Sequence, residues 1–343
     1  MELQQLHQGN ERLFTAFAES RTGGRDENQD SYGYAQTAWG FLVTVCDGMG
    51  GGPGGKTAST IAVNEIVAGV EGASKDEEVS NILIKAIRRA NMAIIEAGNE
   101  NPSLKGMGST ATVLLLSERA AQIAFVGDSR IYQLRGKRKV FRTFDHSMVF
   151  DLVKQNVITE EQARLSAQSN IITRALGIKP DVEVDIQELP YEKGDRFVLC
   201  SDGIHGTMPE KQLLKMFAQK KPLGIVTDNV ATYVDNLGRL SGQGYDNLTL
   251  AMVETKTNSI LKPVMSKQTK IILVALAVFC LISIAANVIQ AAHYTALSNQ
   301  SVSCDSLEKY IQRDSVQQST IKVLQDSVAK MAVKLDKIKE KSK

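Results

Sequence analysis

The sequence is short of paired cysteines. Its four, Cys46, Cys200, Cys280 and Cys304, are scattered through 343 residues and form no CxxC pair, which excludes a zinc knuckle and a disulfide framework. It also lacks a charge surplus, since 40 Lys and Arg stand against 38 Asp and Glu, a net of +2. The stretch from His293 onward holds nine basic and six acidic residues, a net of +3, which leaves 31 basic and 32 acidic residues, or −1, before it. A near-neutral main domain offers no footprint for a phosphodiester backbone, so no nucleic-acid partner is expected. The start, MELQQLHQGNERLF, has neither the basic opening nor the apolar stretch of a signal peptide. The expectation is an N-terminal domain that folds in a reducing compartment.

Before residue 260 or so, apolar runs of strand length alternate with amphipathic stretches. The strand candidates are 39–46, 110–116, 121–126, 182–189, 195–200 and 247–253, most of them ending at Gly, Asp or Ser. Helices are expected at 55–70 and 76–97; in the second, Val79, Ile82, Leu83, Ala86, Ile87, Ala90 and Ile94 recur at three- and four-residue steps. Further helical patterns cover 146–167, 209–219 and 222–237. Two strands in direct succession, 110–116 and 121–126, predict antiparallel neighbours and a single α+β domain.

Beyond a short linker, residues 271–292 contain no charged side chain. A run of ~20 apolar residues suffices to cross a bilayer, and the alternative, a buried core helix, would need a partner domain. Lys256, Lys262, Lys267 and Lys270 precede the run, whereas only Lys309 and Arg313 follow within about twenty residues. The positive-inside rule then puts the N-terminal domain in the cytoplasm and the tail outside. That tail has no Pro or Gly over 305–340. Leu307, Ile311, Ile321, Val328 and Leu335 fit one heptad seam, and Leu324, Val328, Met331, Leu335 and Ile338 a shifted one. The expectations are a coiled coil joining a homodimer, with Cys304 placed to crosslink it, or else a solvated helix.

Four aspartates stand where apolar strands meet turns: Asp47, Asp128, Asp202 and Asp246. Any one alone reads as a turn or cap residue. Four together point to carboxylates gathered at one rim of a sheet, a cluster that repels itself unless cations sit in it. Hard divalent ions with oxygen ligands, Mn²⁺ or Mg²⁺, are the natural occupants. Two of them would bring +4 against −3 from three carboxylates, favouring an anionic substrate and acidifying a bridging water. The glycine-rich segment DGMGGGPGG, 47–55, would let backbone approach a metal or phosphate closely, or merely connect into the next helix. Arg25, in GGRDENQDS, would clamp a phosphate or form a surface salt bridge.

Seven segments in order, GGRDENQDS, CDGMGGGPGGKTAS, GMGSTAT, FVGDSRIYQL, DHSMV with NIITRALG, LCSDGI and GYDNLTL, resemble the motifs of the PPM (type 2C) metal-dependent protein phosphatases, especially the bacterial ones, over roughly residues 20–255. The resemblance implies a four-layer α–β–β–α sandwich of two antiparallel sheets over 1–257, followed by a linker (258–270), a transmembrane helix (271–292) and a helical tail (293–343). It implies that Asp47 bridges two ions with Gly48 lending its carbonyl, that Asp202 and Asp246 complete the first ion's shell, and that Asp128 helps hold a third. Arg25 would bind the substrate phosphate, Asp30 would orient a water, and 146–177 would form a flap over the site.

The function implied is hydrolysis of phosphoserine and phosphothreonine in cytoplasmic proteins by a hydroxide bridging two ions, opposing a cognate kinase. A non-catalytic membrane-tethered scaffold is the alternative, which loss of Asp47, Asp202 or Asp246 would have favoured. Several positions depart from the family pattern. Gln29 stands where many members carry Glu, which implies a weaker second-ion site. Met49 replaces a His of animal members, and Gly52, Pro53 and Lys56 alter the metal loop. His205 either touches the third-ion site or lines the cleft. Cys46 and Cys200 read as core residues.

Overall fold

The computed structural model describes residues 3–6, 12–50, 54–74, 76–241, 244–262 and 267–298, and in the tail 313–315, 317–327 and 330. Two compact units result, Met1–Pro263 and Val264–Lys343.

The first unit opens with strands β1 (Gln4–Gln5), β2 (Phe14–Arg21), β3 (Ser31–Thr37), β4 (Gly40–Cys46) and β5 (Gly48–Met49). Helices α1 (Gly54–Glu71) and α2 (Val79–Glu100) follow. Then come β6 (Gly108–Ser109), β7 (Ala111–Leu116), β8 (Ala121–Val126), β9 (Arg130–Arg135) and β10 (Arg138–Arg142). The rest comprises α3 (Met148–Lys154), α4 (Glu160–Arg164), β11 (Asp185–Leu189), β12 (Asp195–Cys200), α5 (Asp202–His205), α6 (Glu210–Phe217), α7 (Leu223–Leu240) and β13 (Leu248–Thr255). One antiparallel sheet has the order β1-β2-β13-β12-β9-β10, a second β11-β8-β7-β4-β3, and β5 pairs with β6.

Side-chain alternation explains the layers. On β4, Phe41, Val43 and Val45 face the other sheet while Leu42 faces the helices; on β12, Phe197 and Leu199 point inward while Val198 and Cys200 point out. A strand whose two faces are both buried reads as a continuous apolar run, as these do. The inner core joins Phe14, Phe41, Leu114, Phe197 and Val253 between the sheets, where the rings of Phe14 and Phe41 stack at 4.2 Å. The outer faces are covered by α1 and α2 on one side and by α6 and α7 on the other. The expected α–β–β–α order is therefore present, and β7 and β8 are antiparallel neighbours as expected.

Seven strands fall outside the sequence expectations: β2, β3, β9 and β10, and the two-residue β1, β5 and β6. The expected helix over 146–167 is two short ones instead. Asn156 sits at φ 58, a left-handed conformation that stops α3, and Thr159 starts α4 with a capping box to Gln162. The chain after β13 stays on the domain: Ser259 is buried, and Ile260 and Leu261 donate backbone hydrogen bonds to Glu118 and Arg119.

In the second unit, α8 runs from Lys267 to Ser298. Among the described residues no helix is long and apolar enough to cross a membrane, so the expected span at 271–292 is not borne out. Most residues of the expected heptad seams, and Cys304, lie outside the described residues.

Candidate active site

Strand register brings the functional residues to one end of the sandwich. Ser31 pairs with Cys46, so Asp30 and Asp47 leave β3 and β4 side by side. Ala111 pairs with Val126, which sets Thr110 beside the turn into Asp128. Cys200 pairs with Leu250 and Leu248 with Arg21, which delivers Asp202, Asp246 and the 22–29 loop carrying Arg25 to the same end. Close backbone packing needs glycine here. A Cβ on Gly48 would lie 2.0 Å from the Gly55 carbonyl oxygen, and one on Gly203 2.0 Å from that of Asn247.

The carboxylates act on one another. Burial first, then the charges of Asp30, Asp202, Asp128 and Asp246, hold Asp47 well above the usual carboxylate range. Asp128 is likewise raised well above it, by burial and then by Asp202 and Asp145. Burial pushes Asp30 up to about 7, against hydrogen bonds from Thr249 and Ser201; the Ser201 hydroxyl donates to Asp30 Oδ2 at 2.8 Å. Asp202 is raised to about 6 by burial and Asp246, eased by a hydrogen bond with the Asp47 carboxyl. Two buried oxygens, Asp128 Oδ1 and Asp202 Oδ1, have no hydrogen-bond partner. Orphaned buried acceptors are costly.

Hard oxygen donors, mutual repulsion and unpartnered oxygens fit a divalent cation. Among the described residues, however, no group of three His, Cys, Asp or Glu side chains closes on a single metal-sized point. The chemistry of the donor set carries the fit rather than a finished coordination shell.

The other expected residues fall as follows. Arg25 is half exposed and ion-pairs with Asp246 at 3.1 Å. It is thus at the cleft and in a salt bridge at once, on a side chain that stays half solvated. Lys56 turns into the domain and donates to the Asp30 carbonyl at 2.8 Å and to Ser31 Oγ at 3.1 Å. His205 is buried with Nε2 3.0 Å from the Asp128 carbonyl oxygen, so it backs Asp128 rather than lining the cleft. Cys46 and Cys200 are buried thiols with raised pKa, Cys46 up to about 12 through burial, which suits core residues and not redox-active ones. In the expected flap, 146–177, Glu160 accepts from the buried Arg142 at 2.6 Å, and Arg142 also bonds Glu210 at 2.9 Å.

Several residues of the site had no role in the sequence reading. Asn247 holds the 22–29 loop at three points, donating to the Thr22 and Glu27 carbonyls at 2.7 and 2.9 Å and accepting from Gln29 N at 2.9 Å. Thr110 fixes Asp47, exchanging bonds of 2.9 and 2.8 Å with its backbone. Arg130 and Asp145 form a buried bidentate pair at 2.7 and 2.6 Å. Only the Asn directly after Asp246, repeating the Asp-next-to-strand pattern, was a legible signal.

A family model described as protein phosphatase 2C matches residues 20–236. The serine/threonine phosphatase stp of Listeria monocytogenes serotype 4b (strain F2365) is 33% identical over 235 residues, covering 68% of this chain and 88% of that one. The crystal structure of serine/threonine phosphatase Stp1 from Staphylococcus aureus superposes with a TM-score of 0.62 at 29% identity, covering 70% of this chain and 94% of that one. The catalytic domain of the serine threonine protein phosphatase PstP, solved in complex with two manganese ions, gives 0.60 at 28% identity over 71% of this chain and 99% of that one.

The raised carboxyls have a measurable consequence. A carboxyl whose folded pKa exceeds its unfolded value stabilises the fold below the unfolded pKa and loses that stabilisation as pH rises through the folded pKa. His146 and His205, lowered by burial, act in the opposite sense, but only below about pH 6.5. In EDTA, Tm should therefore fall between about pH 6.5 and pH 8.5, and Mn²⁺ should restore it at the upper end. A melting temperature that stays level or climbs across that window contradicts the clustering.

Proposed function

This chain belongs to the protein phosphatase 2C family, and on that premise we propose that Asp47, Asp202 and Asp246 hold the divalent ions against which a substrate phosphate is hydrolysed. It is a metal-dependent protein serine/threonine phosphatase. The single observation that supports the site assignment is the convergence of Asp30, Asp47, Asp128, Asp202 and Asp246 at one end of the sandwich, each within electrostatic reach of others.

Mn²⁺ or Mg²⁺, bound there as two ions with a third beside Asp128, would acidify a water into the nucleophile and neutralise the phosphoryl oxygens. The chain's own groups do the rest. Gly48, free of a side chain, brings its carbonyl beside Asp47. Arg25 leaves Asp246 for the incoming phosphate, exchanging one anion for another at little cost because both are solvated. Asp30, fixed by Ser201, orients a water and titrates near neutrality. Gln29 supplies an uncharged oxygen where an acid would add charge.

Three finer assignments rest mainly on the sequence. Residues 271–292 tether the enzyme to a membrane with the catalytic unit in the cytoplasm, a reading supported by the charge-free run and by the exposed Leu281, Ile282, Ile284, Val288 and Ile289 of α8. The tail pairs with a second copy. A serine/threonine kinase acting on the same proteins completes the cycle, since a phosphatase needs a supply of phosphoester.

Hydrolysis of a phosphothreonine peptide should require Mn²⁺ or Mg²⁺ and stop in EDTA. Arg25→Ala should raise KM about tenfold or more, as loss of a charge-assisted bidentate contact does; activity that ignores EDTA refutes the metal dependence. The full chain should stay in the membrane pellet after carbonate washing and run as a dimer in detergent. A chain ending at Pro263 should be extracted and monomeric. Full-length protein that washes off, or remains monomeric, counts against the tether or the pairing respectively.

A further inference from the structure

The loop carrying Arg25 and the residue before Asp246 meet in a contact that the reaction above does not use. Three glycines face the ring of Tyr245. A Cβ built on Gly23, Gly24 or Gly238 would lie 3.3, 2.8 or 2.3 Å from a ring carbon. Two of these glycines belong to the Arg25 loop and the third to α7, so the ring is wedged between the loop and the helix with no room on either side.

The wedge is pinned at both ends. Tyr245 OH donates to Asp235 Oδ1 at 2.6 Å. Asp235 is nearly buried on α7 and its other oxygen accepts from Arg239 at 2.8 Å and from Arg21 of β2 at 3.4 Å. At the backbone, Gly24 N donates to the Tyr245 carbonyl at 3.1 Å. A Cβ on Gly23, which has φ +68, would sit 2.0 Å from the Asp246 carbonyl oxygen. The next residue after Gly24 is Arg25 and the next after Tyr245 is Asp246, so one ring governs where both begin.

We propose that Tyr245 is a positioning residue that sets Arg25 and Asp246 in register with each other. The proposal rests on the assignment of Asp246 to an ion and Arg25 to the phosphate. A ring held on both faces cannot move without shifting two backbone segments, and displacement of about 1 Å at a reacting centre costs on the order of a hundredfold in rate. The Tyr245 hydroxyl is directed to Asp235 on α7, and its action is to fix the distance between Arg25 and Asp246.

Two variants of the full chain separate positioning from simple packing. Tyr245→Phe keeps the ring and loses only the hydroxyl, with its Asp235 bond and its interaction with Arg239. Gly238→Ala suits a helix interior better than glycine but puts a methyl carbon 2.3 Å from a ring carbon, so the ring and the segments it touches must shift. Tyr245→Phe should melt close to wild type in EDTA, and Gly238→Ala should still fold with a cooperative melt. Tyr245→Phe should weaken Mn²⁺ binding, read from the electron paramagnetic resonance signal of free Mn²⁺, and raise the phosphopeptide KM, each about fivefold, the worth of one hydrogen bond. Gly238→Ala should do the same by about tenfold or more. Folded variants with wild-type Mn²⁺ binding and KM overturn the proposal, and if Gly238→Ala fails to fold, Tyr245→Phe decides alone. Wild-type protein that neither binds Mn²⁺ nor cleaves the peptide overturns the assignment of the cleft itself, and this inference with it.

Discussion

Repulsion among buried carboxylates is the constraint on which the rest of the structure depends. Five aspartates leave their strands at one end of the sandwich, and burial together with their neighbours' charge raises four of them above the ordinary carboxylate range. Such a cluster opposes folding, so the surrounding structure must hold it. The same strain makes it a receptor for hard cations, since charge that costs stability in the protein is charge gained by an ion.

The sandwich supplies that hold through register and rigidity. Residues that alternate between an inner core and two outer ones leave strand ends little freedom to slip, because a one-residue shift would turn each apolar side chain to the wrong face. Around the cleft, the restraints are polar and short-range. Asn247 gathers the Arg25 loop, Thr110 fixes Asp47, and Ser201 bridges from β12 to Asp30. Arg25 and Asp246 satisfy each other at the rim, a weak exposed pairing.

Much of this was legible in the sequence, and the exceptions have physical reasons. Strands buried on both faces, such as β4, β7 and β12, stand out as apolar runs. β9 and β10, RIYQLR and RKVFR, do not, because they bury polar side chains that are partnered inside the fold: Arg130 against Asp145, Gln133 against Asp195 and the Pro190 carbonyl, and Arg142 against Glu160 and Glu210. β3 is an edge strand with a glycine in its middle. The region 146–167 carries a helical pattern, but periodicity could not show that Asn156 turns left-handed. Asp47, Asp128, Asp202 and Asp246 were visible because each adjoins an apolar run. Asn247, Thr110, Ser201 and Tyr245 work through backbone contacts that leave no periodic trace, and their partners are far away in the chain. The apolar run at 271–292 is plain in the sequence, whereas no span is found among the described residues.

The most direct test of the account sets stability against activity in one substitution. Asp202→Asn removes a charge from the cluster while keeping its shape. In EDTA the variant should melt several degrees higher than wild type, roughly the shift produced by 1–2 kcal/mol in a domain of this size, yet gain little from added Mn²⁺ and release no phosphate from a phosphopeptide. A variant that melts no higher in EDTA and still gains full stabilisation from Mn²⁺ would contradict the claim that these carboxylates are gathered against their own repulsion to hold cations.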